Sequence, residues 1–172
     1  MKHIDDGKIQ ILENLQFLKV SMDAKVRHHA YQAILDLDFG ILQEVLGEII
    51  QGGADPEILA YVAEILLERN YESGIALVLP LLHSKEAHLR RHVCGLLSNY
   101  NSSVAVEPLI QKLQTDTSAD VRVVAAFALG KIQNEKALPA LLAAQKQDFG
   151  IDFEGTTVSE EARKAIISIQ SK

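Results

Sequence analysis

One phrase recurs along this chain at a nearly fixed interval, and that recurrence limits what the chain can fold into. Its clearest copy runs Val121-Arg122-Val123-Val124-Ala125-Ala126-Phe127-Ala128-Leu129-Gly130-Lys131-Ile132. Looser copies open at Val26, Ile58, Leu89 and Val158, so successive intervals are 32, 31, 32 and 37 residues. A period of this size marks stacked repeats, in which each unit buries its apolar face only against its neighbours.

Inside every copy the apolar residues fall at +0, +4, +7 and +8, the stripe of an amphipathic helix. They are Val26, Ala30, Ala33, Ile34; Ile58, Val62, Ile65, Leu66; Leu89, Val93, Leu96, Leu97; Val121, Ala125, Ala128, Leu129; and Val158, Ala162, Ala165, Ile166. Helix starts are signalled just upstream by Asp23, Asp55, Ser118 and Thr156, whose side chains can cap free backbone N–H groups. A second apolar-periodic stretch precedes each copy, near 9–18, 41–50, 75–82, 104–113 and 137–142, with short breaks at 52–56, 84–85, 99–102 and 133–134. No stretch alternates as a strand would. The pattern predicts an all-α chain, an α-solenoid of about five antiparallel helix pairs. It reads as a single domain over 1–172, with repeats near 4–38, 39–70, 71–101, 102–133 and 134–170.

Composition narrows the core and the partners. Hydrophobic residues make up 48% of the chain, aromatics only 5%, and tryptophan is absent, so Ala, Leu, Ile and Val must fill the interior. A formal net charge of −6 argues against phosphate-driven binding of nucleic acid. Cys94 is the single cysteine, which excludes an intrachain disulfide and a cysteine-cluster metal site and fits a reducing compartment. The first residues lack the apolar run of a signal peptide, and the longest apolar run, near 75–82, is far short of the ~20 residues of a membrane span. The expectation is a cytoplasmic protein with no membrane association.

Asp120-Val121-Arg122, then Ala125-Ala126, Ala128-Leu129-Gly130 and Ile132, then Ala137-Leu138-Pro139-Ala140-Leu141-Leu142, resemble a HEAT repeat. The pattern is closest to the short HEAT-like repeats also found in phycobilisome (bilin) lyases. The fourth repeat matches best, the second mainly by its apolar pattern. The resemblance implies a helical-pair stack and is nearly silent about activity. HEAT-like di-iron hydroxylases carry paired His-Glu dipeptides, and this chain has no His-Glu step.

Candidate functional residues come from the columns that flank the core stripe. The +1 column reads Arg27, Leu59, Arg90, Arg122, Ser159, and its arginines are placed to bond carboxylates or carbonyls of the neighbouring repeat. The +3 column reads His29, Tyr61, His92, Val124, Glu161, and His88 stands four residues before His92. With Arg90 and Arg91 beside His92, a cation is disfavoured there, and no metal site is assigned. The +2 and +6 positions should face solvent on the inner wall of the stack, among them Arg91, Val123, Phe127 and Glu160. An apolar centre at Val123 and Phe127 with Arg91 and Glu160 on its rim has the anatomy of a peptide or protein site.

The extra length of the last interval falls in 148–157, which holds Phe149 and Phe153 with two glycines and several carboxylates. Two roles suit it: the phenylalanines fold back to seal the end of the stack, or they form an adhesive loop for a partner. Its carboxylate spacing does not match an EF-hand. No nucleophile–base pairing, phosphate loop or dinucleotide fingerprint appears, so no catalytic residue and no cofactor is assigned.

The leading expectation is a non-enzymatic adaptor that binds a protein partner through the concave helix surface, with Arg91, Arg122 and Glu160 setting register. The resemblance supplies an alternative, a bilin lyase-like subunit or chaperone acting on phycobiliproteins. Nucleic-acid binding ranks last, because the groove mixes signs and the chain is acidic.

Overall fold

The computed structural model describes residues 2–100 and 103–171, with the side chains of 2–5, 71 and 73 left aside. Asn101 and Ser102, half of the expected break at 99–102, lie outside the described residues, as do Met1 and Lys172. The described residues form ten α-helices and two short 3-10 segments, and the fold class expected from the period is the one observed.

The chain divides into two compact units, Met1–Val78 and Leu79–Lys172. The first holds α1 (Lys2–Val20), α2 (Ala24–Leu35), α3 (Phe39–Gln51), α4 (Pro56–Arg69) and α5 (Tyr71–Val78). Helix α1 packs on α2, α3 and α4, and α5 lies against α4. Their shared interior is aliphatic, with Ile11, Leu15, Ile34, Leu42, Leu46, Ile65 and Leu66 buried. Asp23 and Asp55 cap α2 and α4 as expected, accepting from the N–H of Lys25 and Glu57. Asp38 does the same for α3 through Gly40 and Ile41.

The second unit holds a 3-10 segment (Leu79–His83), α6 (Ala87–Leu97), α7 (Ser103–Thr115), α8 (Ala119–Ile132), a 3-10 turn (Glu135–Ala137), α9 (Leu138–Gln147) and α10 (Val158–Gln170). The helix expected near 75–82 stops at Val78 and passes into the 3-10 segment. Pro80 is the cause, since it has no N–H to donate and its ring crowds the carbonyl of residue 76.

Helix α8 is the centre of this unit. It packs on α6, α7 and α10, and Val121, Ala125, Ala126, Ala128, Leu129 and Gly130 are buried along it. Small residues let the backbones close: a Cβ on Gly130 would lie 2.8 Å from both Cα and Cβ of Ala165 on α10. Gly130→Ala should therefore destabilise the protein by about 1–3 kcal/mol through overpacking, in spite of the ~1 kcal/mol that alanine normally gains in a helix. Thermal unfolding followed by circular dichroism measures it, and an equal or higher midpoint would mean that the α8–α10 approach is looser than described.

Candidate functional site

The arginine column forms a ladder. Arg90 donates from Nε and Nη2 to the two carboxylate oxygens of Asp116, both at 2.7 Å, and from Nη1 to the carbonyls of Ser84 and Lys85. Arg122 repeats the arrangement one helix pair later. Its Nε and Nη2 donate to Asp148 at 2.6 and 3.0 Å, and its Nη1 to the carbonyl of Asp116. Asp116 is thus held by its side chain from one repeat and by its backbone from the next. In the first unit Arg27 keeps the carbonyl bond, to Ser21, but the position matching Asp116 and Asp148 is Gly53.

Burial pushes the carboxyls of Asp116 and Asp148 up, but the arginine hydrogen bonds, with an N–H from Ser118 or Gly150, outweigh it and hold both below the ordinary carboxylate value. Arg90 and Arg122 are held above theirs by the same bonds. The second rung ends at Asp148, where the long loop begins.

That loop is a small hairpin held from within. Ile151 and Thr157 form an isolated antiparallel bridge; Asp152 N–H donates to the Thr156 carbonyl and Val158 N–H to that of Gly150. The carboxylate of Asp152 accepts from the N–H groups of Glu154 and Thr156, and Asp148 accepts from Gly150 N–H. Asp120 of α8 accepts from Phe153 N–H at 2.8 Å and ties the loop to the helix. Gly150 sits under the Arg122 guanidinium, where a side chain would collide. With the even-numbered residues Asp148, Gly150 and Asp152 in these bonds, the odd-numbered apolar ones point away. Phe149, Ile151 and Phe153 are 67%, 62% and 69% exposed.

The expectation that Phe149 and Phe153 fold back to seal the stack is therefore corrected. The alternation of the hairpin sends inward the carboxylates that satisfy its backbone, and the phenylalanines outward. Phe153 lies against Arg91 of α6, whose guanidinium carbon is 4.9 Å from the ring centre. Phe127 on α8 is 44% exposed, with the Lys131 ammonium 5.9 Å from its ring centre.

Val123 is a second correction, because it is only 6% exposed rather than open on the inner wall. Helix α8 packs on α6, α7 and α10, and along it Phe127 is the large apolar residue left exposed. Glu160 is exposed but occupied, since it completes a capping box with Thr157 at the start of α10. Thr157, not Thr156, is the cap.

The structure thus brings Arg91 to Phe153 and leaves Phe127 exposed on α8. Sequence reasoning passed over Ile151, Lys131 and Asp120. The 149/151/153 alternation signals the first, and the i, i+4 spacing of Phe127 and Lys131 the second. Cys94 is fully buried, and burial pushes its thiol up to about 12, so it is not a nucleophile near neutral pH. Among the described residues no group of three or more His, Cys, Asp or Glu side chains is placed to hold a metal ion, and no helix is long and apolar enough to cross a membrane.

Residues 106–149 match the model of HEAT repeats. No curated protein matches the chain. Among solved structures, an engineered protein is similar at a TM-score of 0.58 and 23% identity, covering 94% of this chain and 79% of that one. Human deoxyhypusine hydroxylase in complex with glycerol aligns at a TM-score of 0.56 and 20% identity, covering 96% and 77%. A designed armadillo repeat protein in complex with the peptide (KR)4 aligns at 0.56 and 16%, covering 91% and 80%. The likeness is one of fold. The chain has a HEAT/armadillo-like repeat fold, with the HEAT match itself confined to residues 106–149, and the resemblance to phycobilisome lyase repeats gains no support from these comparisons.

The ladder carries a pH signature. The native state binds Asp116 and Asp148 protons less readily than the unfolded chain, so their contribution is complete above the ordinary carboxylate range near 3.8 and is lost as pH falls through the depressed values. Asp116→Ala leaves the buried Arg90 guanidinium without its counter-ion and should cost about 3–5 kcal/mol at neutral pH, while flattening the acid limb of the stability curve. Urea unfolding across acid and neutral pH checks both parts. An acid limb of unchanged steepness would mean that other carboxylates set it.

Proposed function

We propose that this chain is a non-enzymatic protein-binding repeat module whose docking face lies within residues 79–172 and is formed by the 148–157 loop with the exposed Phe127 of α8. The observation that carries the reading is the outward row Phe149, Ile151 and Phe153 on a loop whose backbone is tied down at both ends. Leaving three large apolar side chains mostly in water gains the fold little beyond the Arg91–Phe153 contact, whereas a partner would cover them. A loop already held in one shape also loses little entropy on binding.

Arg91, Phe127, Phe149 and Phe153 keep the role expected of them, as contacts for the partner. Val123 supports the face from beneath, and Glu160 fixes the start of α10 beside it. The designed armadillo protein in complex with the peptide (KR)4 supports the idea that such a helical stack can hold a peptide.

A bilin lyase-like role is the weaker reading. The recess between α7 and α9 holds about 180 Å³ and is lined by residues such as Gln114, Ala140 and Gln147, below the ~300–1,000 Å³ usual for drug-sized ligands. A larger recess beside α3, about 340 Å³, is open, and its lining includes Gln43, Glu44, Gly47, Glu48 and Leu77. Neither encloses enough space to wrap a tetrapyrrole.

Affinity capture from a native lysate, wild type beside Phe149→Ala/Phe153→Ala, tests the docking face. The variant should melt within about 1 kcal/mol of wild type, because both rings are exposed, and should lose the protein that the wild type retains. Equal retention by the two would move the site off the loop.

A further inference from the structure

The first unit also leaves apolar surface open, on α1. This helix packs on α2, α3 and α4, and its inward side carries the buried Ile11, Leu15 and Leu18. At about 100° per residue, Ile9, Glu13, Gln16 and Val20 fall on the opposite side, with Leu12 along one edge and Phe17 along the other. All six are exposed, and the four apolar ones are 46–56% open to solvent. A helix with neighbours on one side normally turns a polar face to the other. Four large apolar side chains on the outward face of one helix mark a contact surface.

The order of these residues says what fits. Their spacing reads the same from either end: about the midpoint between Asn14 and Leu15, Ile9 exchanges with Val20, Leu12 with Phe17, and Glu13 with Gln16. A two-fold interface requires this property, because residue i of one copy meets residue j of the other, and j meets i. Two α1 helices laid antiparallel about that midpoint set Ile9 level with Val20 of the second copy, and Glu13 level with its Gln16. Leu12 then borders its own counterpart along one edge, and Phe17 its own along the other. The 4-3-4 spacing of Ile9, Glu13, Gln16 and Val20 is the seam of such a helix pair. Glu13 there meets an amide that can donate to it, and a polar residue in a seam fixes register at some cost in stability.

Charge points the same way. Residues 21–78 carry three Lys or Arg against ten Asp or Glu, a formal −7, so most of this unit repels a copy of itself. Helix α1 carries three of each, and its Lys8 and Lys19 are paired with Glu48 and Asp55 along its borders. Two copies therefore approach through α1 with less repulsion than through the rest of the unit.

We propose that the occupant of this face is a second copy of the chain, packed antiparallel on α1 about a two-fold axis at the Asn14–Leu15 midpoint. The proposal does not rest on the docking face within residues 79–172. One helix from each copy makes a small interface, so assembly depends on concentration.

Sedimentation equilibrium of the full chain from ~1 μM to ~1 mM tests it. The wild type should form a dimer, Ile9→Glu/Val20→Glu should weaken it at least about tenfold, and Glu13→Leu should tighten it by a similar factor. Far-UV circular dichroism confirms that each variant is folded. Disulfide crosslinking with an added oxidant reads the register, and the buried Cys94 stays out of it. Ile9→Cys and Val20→Cys, each alone, stand about 16 Å from their counterparts along the helix axis and should not crosslink, whereas a mixture of the two should. A monomer throughout the range would leave α1 to a partner other than this chain and overturn the proposal. So would a dimer indifferent to Ile9→Glu/Val20→Glu, and its loss on Phe149→Ala/Phe153→Ala would then place the contact on the loop. Crosslinking of each variant with itself and not in the mixture would make the pair parallel, and overturns the proposal too.

Discussion

The second unit depends on the arginine rungs at the starts of α6 and α8. Each guanidinium does two things that aliphatic packing cannot. Its Nη1 satisfies the carbonyl six residues before it, at the turn where the chain enters the helix, and its Nε–Nη2 edge grips a carboxylate twenty-six residues further on. The core stripe of Val, Leu and Ala buries area but tolerates sliding, since one aliphatic contact resembles the next. A bidentate pair does not tolerate it. Burying such a pair yields little net stability against an apolar replacement, so the ladder is better understood as fixing register than as adding free energy. Its second rung ends on Asp148, which makes the loop a consequence of the ladder.

That dependence explains how the loop keeps one conformation with so little core of its own. Asp148 is held by Arg122, its remaining acceptor capacity orders Gly150, and Gly150 must stay small because the guanidinium lies over it. Asp152 organises the tip and Asp120 ties the far side to α8. Four polar anchors thus do what a hydrophobic cluster does elsewhere, and Phe149, Ile151 and Phe153 are released from structural duty.

The helices were legible because their signal is redundant. Five copies of one stripe place the second helices even where single copies are weak, and the fold class follows from the period alone. The arginine ladder was legible in outline, from Arg90 and Arg122 in one column, but its partners were not, because a contact between residues 90 and 116 depends on how two helix pairs meet. Val123 was misjudged for the same reason: position on a helix says which way a side chain points, not how far the neighbouring helices close over it. For the loop the sequence left two roles open, a seal for the stack or an adhesive segment, and the exposure of its phenylalanines removes the first. Phenylalanines in a connector suggest burial on average, and only the hydrogen bonds of Asp148 and Asp152 show that the inward places were already taken.

The division of labour between polar and apolar residues gives the loop its meaning. In an ordinary surface turn the polar side chains face water and any aromatic tucks under, since that arrangement lowers the free energy of the isolated fold. Here the polar groups turn inward and the apolar ones outward, so the local stability of the hairpin comes from hydrogen bonds and charge rather than from burial. Folding gains little from the exposed ring of Phe149 or the side chain of Ile151, and from Phe153 only its contact with Arg91. Apart from that contact, they lower free energy only when something else excludes water from them. What covers that row must bring apolar surface of its own, and the polar anchors that fix the loop also fix where that surface has to meet it.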